Sequence, residues 1–180
     1  MIILEGPDGG GKTTLAMRLG EEFGLEYKRY ALLSSTRGPD GPGIIDWWDE
    51  QIAENQIDAV YDRCFYISEP IYQLATPGRD LIADVKQMQT GIMRLSNFAP
   101  LVIFCIPPFD TALGNIHTRE RLEGVDDKAL GKIHWAYHVA AAYWSEILYH
   151  TCLYWDYTYH DPAEITEAVT RYLRRKGDGS

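Results

Sequence analysis

Met1-Ile2-Ile3-Leu4-Glu5-Gly6-Pro7-Asp8-Gly9-Gly10-Gly11-Lys12-Thr13-Thr14 opens the chain, and the rest of the reading works outward from it. The apolar run ends at Glu5, as a short buried strand would. Gly6 to Thr13 then satisfies G-x-x-x-x-G-K-[ST] in full. Residues 12–23 follow as a helix with Leu15, Leu19 and Phe23 on one face, closed by Gly24. Strand, glycine-rich turn and helix in that order make an anion cradle. Glycines let backbone N–H groups approach phosphates where a side chain would collide. The helix N-terminus adds unpaired N–H groups and the positive end of its dipole. Gly6, Pro7, Asp8, Gly9, Gly10, Gly11, Lys12, Thr13 and Thr14 are therefore expected to hold the phosphates of ATP. Lys12 is expected to reach the β- and γ-phosphates, and the Thr13 hydroxyl to ligate Mg2+.

Strands and helices alternate through the remainder. Residues 27–34 read as a second strand, 38–43 as a Gly/Pro loop, and 46–55 as a helix carrying Trp47 and Trp48. A brief strand over 57–61 ends at Asp62. A helical period covers 81–97, and an apolar strand over 100–106 is stopped by Pro107-Pro108. A helix from about 111 leads to the charged segment 118–123. A long aromatic helix follows over 128–149, then a fifth strand over 152–157 and a last amphipathic helix over 162–174. The strands are too apolar to leave one face wet, which predicts a parallel sheet covered on both sides. The expected architecture is a three-layer α/β P-loop fold with about five parallel strands, one domain over residues 1–180, and a helical lid at about 117–145.

Bulk properties narrow the function. The chain has 180 residues, 46% of them hydrophobic, which suits one domain with its own core. The net charge of −9, from 17 basic and 26 acidic side chains, disfavours wrapping a nucleic-acid backbone and favours a small phosphorylated ligand. Cys64, Cys105 and Cys152 are odd in number and form no CxxC pair, which reads as reduced thiols. No apolar stretch approaches the roughly 20 residues that cross a bilayer. The expectation is a cytoplasmic protein without a membrane partner. Self-association as a homodimer is left open.

Asp62 sits at the carboxyl end of an apolar strand, where open parallel sheets face their ligand crevice. A carboxylate there can hold Mg2+, or orient and deprotonate the attacking group. Arg63 beside it can neutralise an anionic acceptor or the migrating phosphoryl. A surface Asp-Arg pair at a strand end is the plainer alternative.

These residues resemble a known family. Leu4 to Thr14 looks like the opening of thymidylate kinases. Asp62-Arg63, followed by Ser68 and Tyr72-Gln73, is similar to their Asp-Arg motif with its downstream serine and tyrosine-glutamine, at a spacing one residue longer. Arg37-Gly38-Pro39-Asp40-Gly41 resembles the family's Arg-Glu-Pro-Gly-Gly loop, with Gly38 in place of the glutamate. Arg119-Glu120-Arg121 through Trp144 is similar to the lid of deoxynucleoside kinases, and the small size suits a phage-type member. The resemblance implies an ATP- and Mg2+-dependent kinase acting on a deoxynucleoside monophosphate, thymidylate or a modified-pyrimidine relative. It assigns catalysis to Lys12, Asp62, Arg63, Arg119 and Arg121, and metal to Thr13 and Asp62. Acceptor contacts fall to Arg37, Arg63, Phe65, Tyr66, Ser68 and Tyr72. Two other readings stand beside it: a kinase acting on a nucleoside or on a hydroxymethylated pyrimidine within DNA, and a slow nucleotide switch without an acceptor. Arg119 and Arg121, two apart, would not share a helix face and can equally belong to a solvated charged segment.

His134 and His138 are four apart on one helix, as metal-binding pairs are. No third ligand has matching spacing, so structural or surface roles are expected for the five histidines. Of the many aromatics, Phe65, Tyr66 and Tyr72 are favoured as base platforms because they flank Asp62 and Arg63.

Overall fold

The computed structural model describes residues 1–29, 44–54, 59–75, 85–118 and 126–177. Five strands, β1 (Ile2–Glu5), β2 (Glu26–Arg29), β3 (Ala59–Asp62), β4 (Leu101–Cys105) and β5 (Cys152–Trp155), form one parallel sheet in the order β2-β3-β1-β4-β5. Among the described residues seven helices surround it: α1 (Lys12–Phe23), α2 (Ile44–Ala53), α3 (Phe65–Ala75), α4 (Val85–Phe98), α5 (Phe109–His117), α6 (Asp127–Ile147) and α7 (Pro162–Gly177). The three-layer α/β architecture is the expected one. No described helix is long and apolar enough to cross a membrane.

Alternation along the strands sends side chains to two cores. Ile2 and Leu4 of β1, Val60 of β3 and Ile103 of β4 pack with Leu15, Leu19, Val169 and Tyr172 of α1 and α7. Ile3, Tyr61, Val102 and Phe104 point the other way, toward Trp48 of α2, Phe65 and Ile71 of α3, Leu95 of α4 and Tyr137 of α6. The central strands are buried on both faces, which is why they read as unbroken apolar runs.

Connections leave β1 toward β2 and leave β4 toward β5, so the chain reverses direction across the sheet between the neighbours β1 and β4. The crevice outside their carboxyl ends is where such sheets place ligands. The P-loop fills it.

The sequence reading missed α3, treating residues 65–75 only as the tail of a motif. Pro70 lies inside this helix and normally signals a break, because it lacks an N–H. Burial outweighs that cost: Phe65, Tyr66, Ile67, Ser68, Glu69, Ile71 and Ala75 are all buried. Helix α4 approaches closely over Gly91, where a Cβ would lie 2.0 Å from the Tyr66 ring.

The expected lid, at about 117–145, is described only in part. Its carboxy-terminal part is α6, a core helix burying Leu130, Ile133, His134, Ala136, Tyr137, Ala141 and Trp144. Asp126 caps its start by accepting from the Lys128 N–H at 3.0 Å. Residues 119–125, with Arg119 and Arg121, lie outside the described residues, as does the loop of Arg37.

Candidate active site

The P-loop backbone is shaped by close packing. Gly6 has φ +145°, and a Cβ there would sit 2.2 Å from the Cys105 carbonyl oxygen at the end of β4, so only glycine lets the loop lie on the neighbouring strand. The N–H of Gly10 donates to the Pro7 carbonyl at 3.1 Å, tightening the turn. Gly11 precedes helix α1 as its N-cap and offers no side chain to its first N–H groups. Those N–H groups therefore face the loop mouth and suit a phosphate.

Lys12 is buried, and its Nζ donates to the carbonyls of Gly6 at 2.9 Å and Pro7 at 2.7 Å. Burial and then the nearby Arg63 charge push its pKa down to about 8, against the opposing pull of Asp62 and Asp8. A polyphosphate beside this ammonium would favour its charged form strongly.

Asp62 ends β3 on the same face as Val60, which aims it at α1. It accepts from the hydroxyls of Thr13 and Tyr27, each at 3.0 Å. The Tyr27 phenol is pushed up to about 12 by burial and by the Asp62 carboxylate. Thr13 and Asp62 thus offer two hard oxygen donors side by side at the loop mouth. Among the described residues no cluster of three His, Cys, Asp or Glu side chains could hold a metal. Mg2+ needs no such cage, since it takes one or two protein oxygens together with phosphates and water. The donor set fits that ion.

Arg63 turns the chain from β3 into α3 with φ +79°, a left-handed conformation uncommon for a side-chain-bearing residue. Its own N–H still donates to the Leu4 carbonyl at 2.9 Å, extending the β1–β3 ladder by one residue. The guanidinium lies over the Tyr72 ring at 5.2 Å and the Tyr137 ring at 5.8 Å. It donates to the Tyr137 hydroxyl and, at 2.7 Å, to Asp8 on the P-loop. Burial would lower the Arg63 pKa, but Tyr137, Tyr72, Asp8 and Glu5 together raise it well above its ordinary value. Burial likewise opposes ionisation of Asp8, yet Arg63 and Lys12 outweigh it and hold that carboxyl below its ordinary value.

Lys12, Thr13, Asp62, Arg63, Asp8 and Tyr72 are thus gathered at one mouth. Other expected contacts are not there. Phe65 and Tyr66 are fully buried core residues and not base platforms; the Tyr66 hydroxyl donates to Asp49 at 2.8 Å, far along α2. Tyr72, two turns beyond Phe65 on α3, is only partly buried, and its ring meets the Arg63 guanidinium. Ser68 is buried and donates to Glu5, so it supports the site from beneath. His134 contacts the Pro107 carbonyl at 2.8 Å and lies 5.0 Å from the His138 ring.

Two residues escaped the sequence reading. Glu5 is fully buried and has its pKa raised to about 6 by burial, against Arg63, the Cys64 N–H, Ser68 and Lys12. Tyr137, from α6, meets both Glu5 and Arg63. The available signal for Glu5 was an acid closing an otherwise apolar strand. Tyr137, one aromatic among many, carried none.

No protein-family model and no curated protein matches the chain in sequence. Solved structures do resemble it. The YorR protein from Bacillus subtilis, in complex with phosphorylated GDP, superposes with a TM-score of 0.66 at 17% identity, over 98% of this chain and 97% of that one. Deoxyadenosine kinase from M. mycoides superposes with a TM-score of 0.55 with bound dCTP, at 18% identity over 97% of this chain and 100% of that one. The same enzyme with bound dATP gives 0.56 at 18% identity, over 96% and 98%. At these identities the likeness is one of architecture: the chain shares the fold of these proteins.

Proposed function

We propose that the protein is an ATP- and Mg2+-dependent kinase that transfers the γ-phosphoryl group to a deoxynucleoside monophosphate, thymidylate or a modified-pyrimidine relative. The observation that carries this reading is Arg63, a pre-positioned cation bonded to Asp8 on the rim of a P-loop whose Lys12, Thr13 and Asp62 stand beside it. The net charge of −9 favours a single small anion over a polymer.

In this reading the P-loop N–H groups bind the donor phosphates, and Lys12 exchanges the Gly6 and Pro7 carbonyls for phosphate oxygens. Thr13 and Asp62 hold the Mg2+ that neutralises charge on the donor when bound. Arg63 neutralises the acceptor and the migrating group, with Tyr72 flanking it. Burial of Lys12 and Arg63 keeps their charge effective by excluding water. Arg37, Arg119 and Arg121 complete the proposed set from the acceptor loop and the lid.

The test is a label-transfer assay offering ATP with thymidine monophosphate, its hydroxymethylated analogue, the free nucleosides, and duplexes containing hydroxymethyluracil. Label on a monophosphate is expected. Label confined to the duplex, falling steeply with salt as counterion release requires, would replace the acceptor. ATP hydrolysis without label in any acceptor would overturn the kinase reading.

A further inference from the structure

Three donors make four contacts with the Glu5 carboxylate, one residue before the P-loop. Its Oε1 accepts from the Cys64 N–H at 2.5 Å and the Ser68 hydroxyl at 3.0 Å. Its Oε2 accepts from Ser68 at 2.8 Å and from the Tyr137 hydroxyl at 3.3 Å. A carboxylate at this depth is costly unless its charge is matched. The matching charge is Arg63, which donates to the same Tyr137 hydroxyl. That hydroxyl accepts from a cation and donates toward an anion, so both of its bonds are strengthened by charge.

The arrangement divides the guanidinium in two. One terminal nitrogen is held inward by Tyr137, and the planar face is held by the Tyr72 and Tyr137 rings. The other terminal nitrogen points outward to Asp8, whose side chain is 51% exposed at the loop mouth. An arginine free to change rotamer would be ordered anew with every substrate; here folding has already ordered it.

From this geometry we infer that Glu5 and Tyr137 are positioning residues for Arg63, fixing the inner edge of its guanidinium so that the outer edge is presented to the acceptor anion. The inference rests on the proposed acceptor-side role of Arg63. Glu5 and Tyr137 touch no substrate in this scheme. They act through the orientation of one cation, joined by residues 132 positions apart in the chain.

Two variants test it. Tyr137→Phe keeps the ring and removes the hydroxyl; Glu5→Gln keeps the shape and removes the charge. With ATP and acceptor varied separately, each should raise the acceptor KM by about tenfold, the scale of one lost charge-assisted hydrogen bond. The ATP KM should stay within about twofold, because the P-loop is untouched. In an Arg63→Gln background Tyr137→Phe should add no further loss. The Arg63 side-chain N–H signal, followed by NMR, should be resolved in the wild type and shift toward solvent-exposed arginine in both variants. Additive losses in the Arg63→Gln background, or equal damage to both substrates, would overturn the inference in favour of general packing. If the wild type phosphorylates no acceptor, the proposed function fails by itself, and the NMR arm still decides. An unchanged Arg63 signal in both variants would then overturn the positioning role.

Discussion

Asp62→Asn separates the charge of the carboxylate from its shape. Asp62 is 4% exposed and accepts two hydroxyl bonds at 3.0 Å, from Thr13 and Tyr27. Both hydroxyls donate to Oδ2, so an asparagine oxygen there can keep both bonds but not the strength that the charge gives them. The structural loss is then equivalent to one neutral hydrogen bond, about 1 kcal/mol, which lowers Tm by about 2–4 °C for a chain of this size. The chemical loss is larger. The variant lacks the charge that would hold Mg2+ beside Thr13 or take the acceptor's proton, and a fall of at least ~100-fold in kcat is expected, equivalent to about 3 kcal/mol of transition-state stabilisation. Nucleotide affinity measured without metal should change little, because the loop N–H groups and Lys12 remain. Steady-state transfer assays and thermal unfolding on the same preparation check both halves. Wild-type kcat in a folded Asp62→Asn would refute the assignment. A collapse in Tm far beyond a few degrees would show that the charge serves the fold instead.

Two further predictions use the buried ionisation and the packing. Because the Lys12 pKa is depressed to about 8 and phosphates raise it, ATP binding should take up most of a proton at pH 8.5 and almost none at pH 6.5; calorimetry in buffers of different ionisation enthalpy reads this directly. In the nucleotide-free protein the unfolded chain holds the Lys12 proton from about 8 up to 10.5 while the folded one has lost it, so this group's opposition to folding fades as pH rises through that window. Gly91→Ala pushes a methyl into the Tyr66 ring, whose hydroxyl is pinned to Asp49. It should cost about 1–3 kcal/mol by overpacking, lowering Tm by roughly 3–10 °C without altering the acceptor KM of the folded fraction. An unchanged Tm would mean that α4 shifts freely.

The parallel sheet was legible because Ile2–Glu5, Ala59–Asp62 and Leu101–Cys105 are buried on both faces, and that burial writes an unmistakable apolar run. The donor side was legible for another reason: Gly6 to Thr13 must lie between a strand and a helix, so local sequence specifies it completely. The surroundings of Arg63 were less legible, because residues 65–75 were not read as a helix. Phe65, Tyr66 and Tyr72 all look close to Arg63 in the sequence, but Phe65 and Tyr66 pack into the core and only Tyr72 of the three meets the guanidinium. Glu5 and Tyr137 were beyond reach because their meaning lies in a long-range contact with Arg63, which no local period encodes.

Lys12 tests the central claim most directly. The motif assigns it to the donor phosphates, and its Nζ lies against the loop, at the Gly6 and Pro7 carbonyls. Lys12→Ala, compared with wild type in the label-transfer assay and checked for folding by circular dichroism, should show a native spectrum and no phosphoryl transfer to any acceptor. A native spectrum with near-normal transfer would contradict the account.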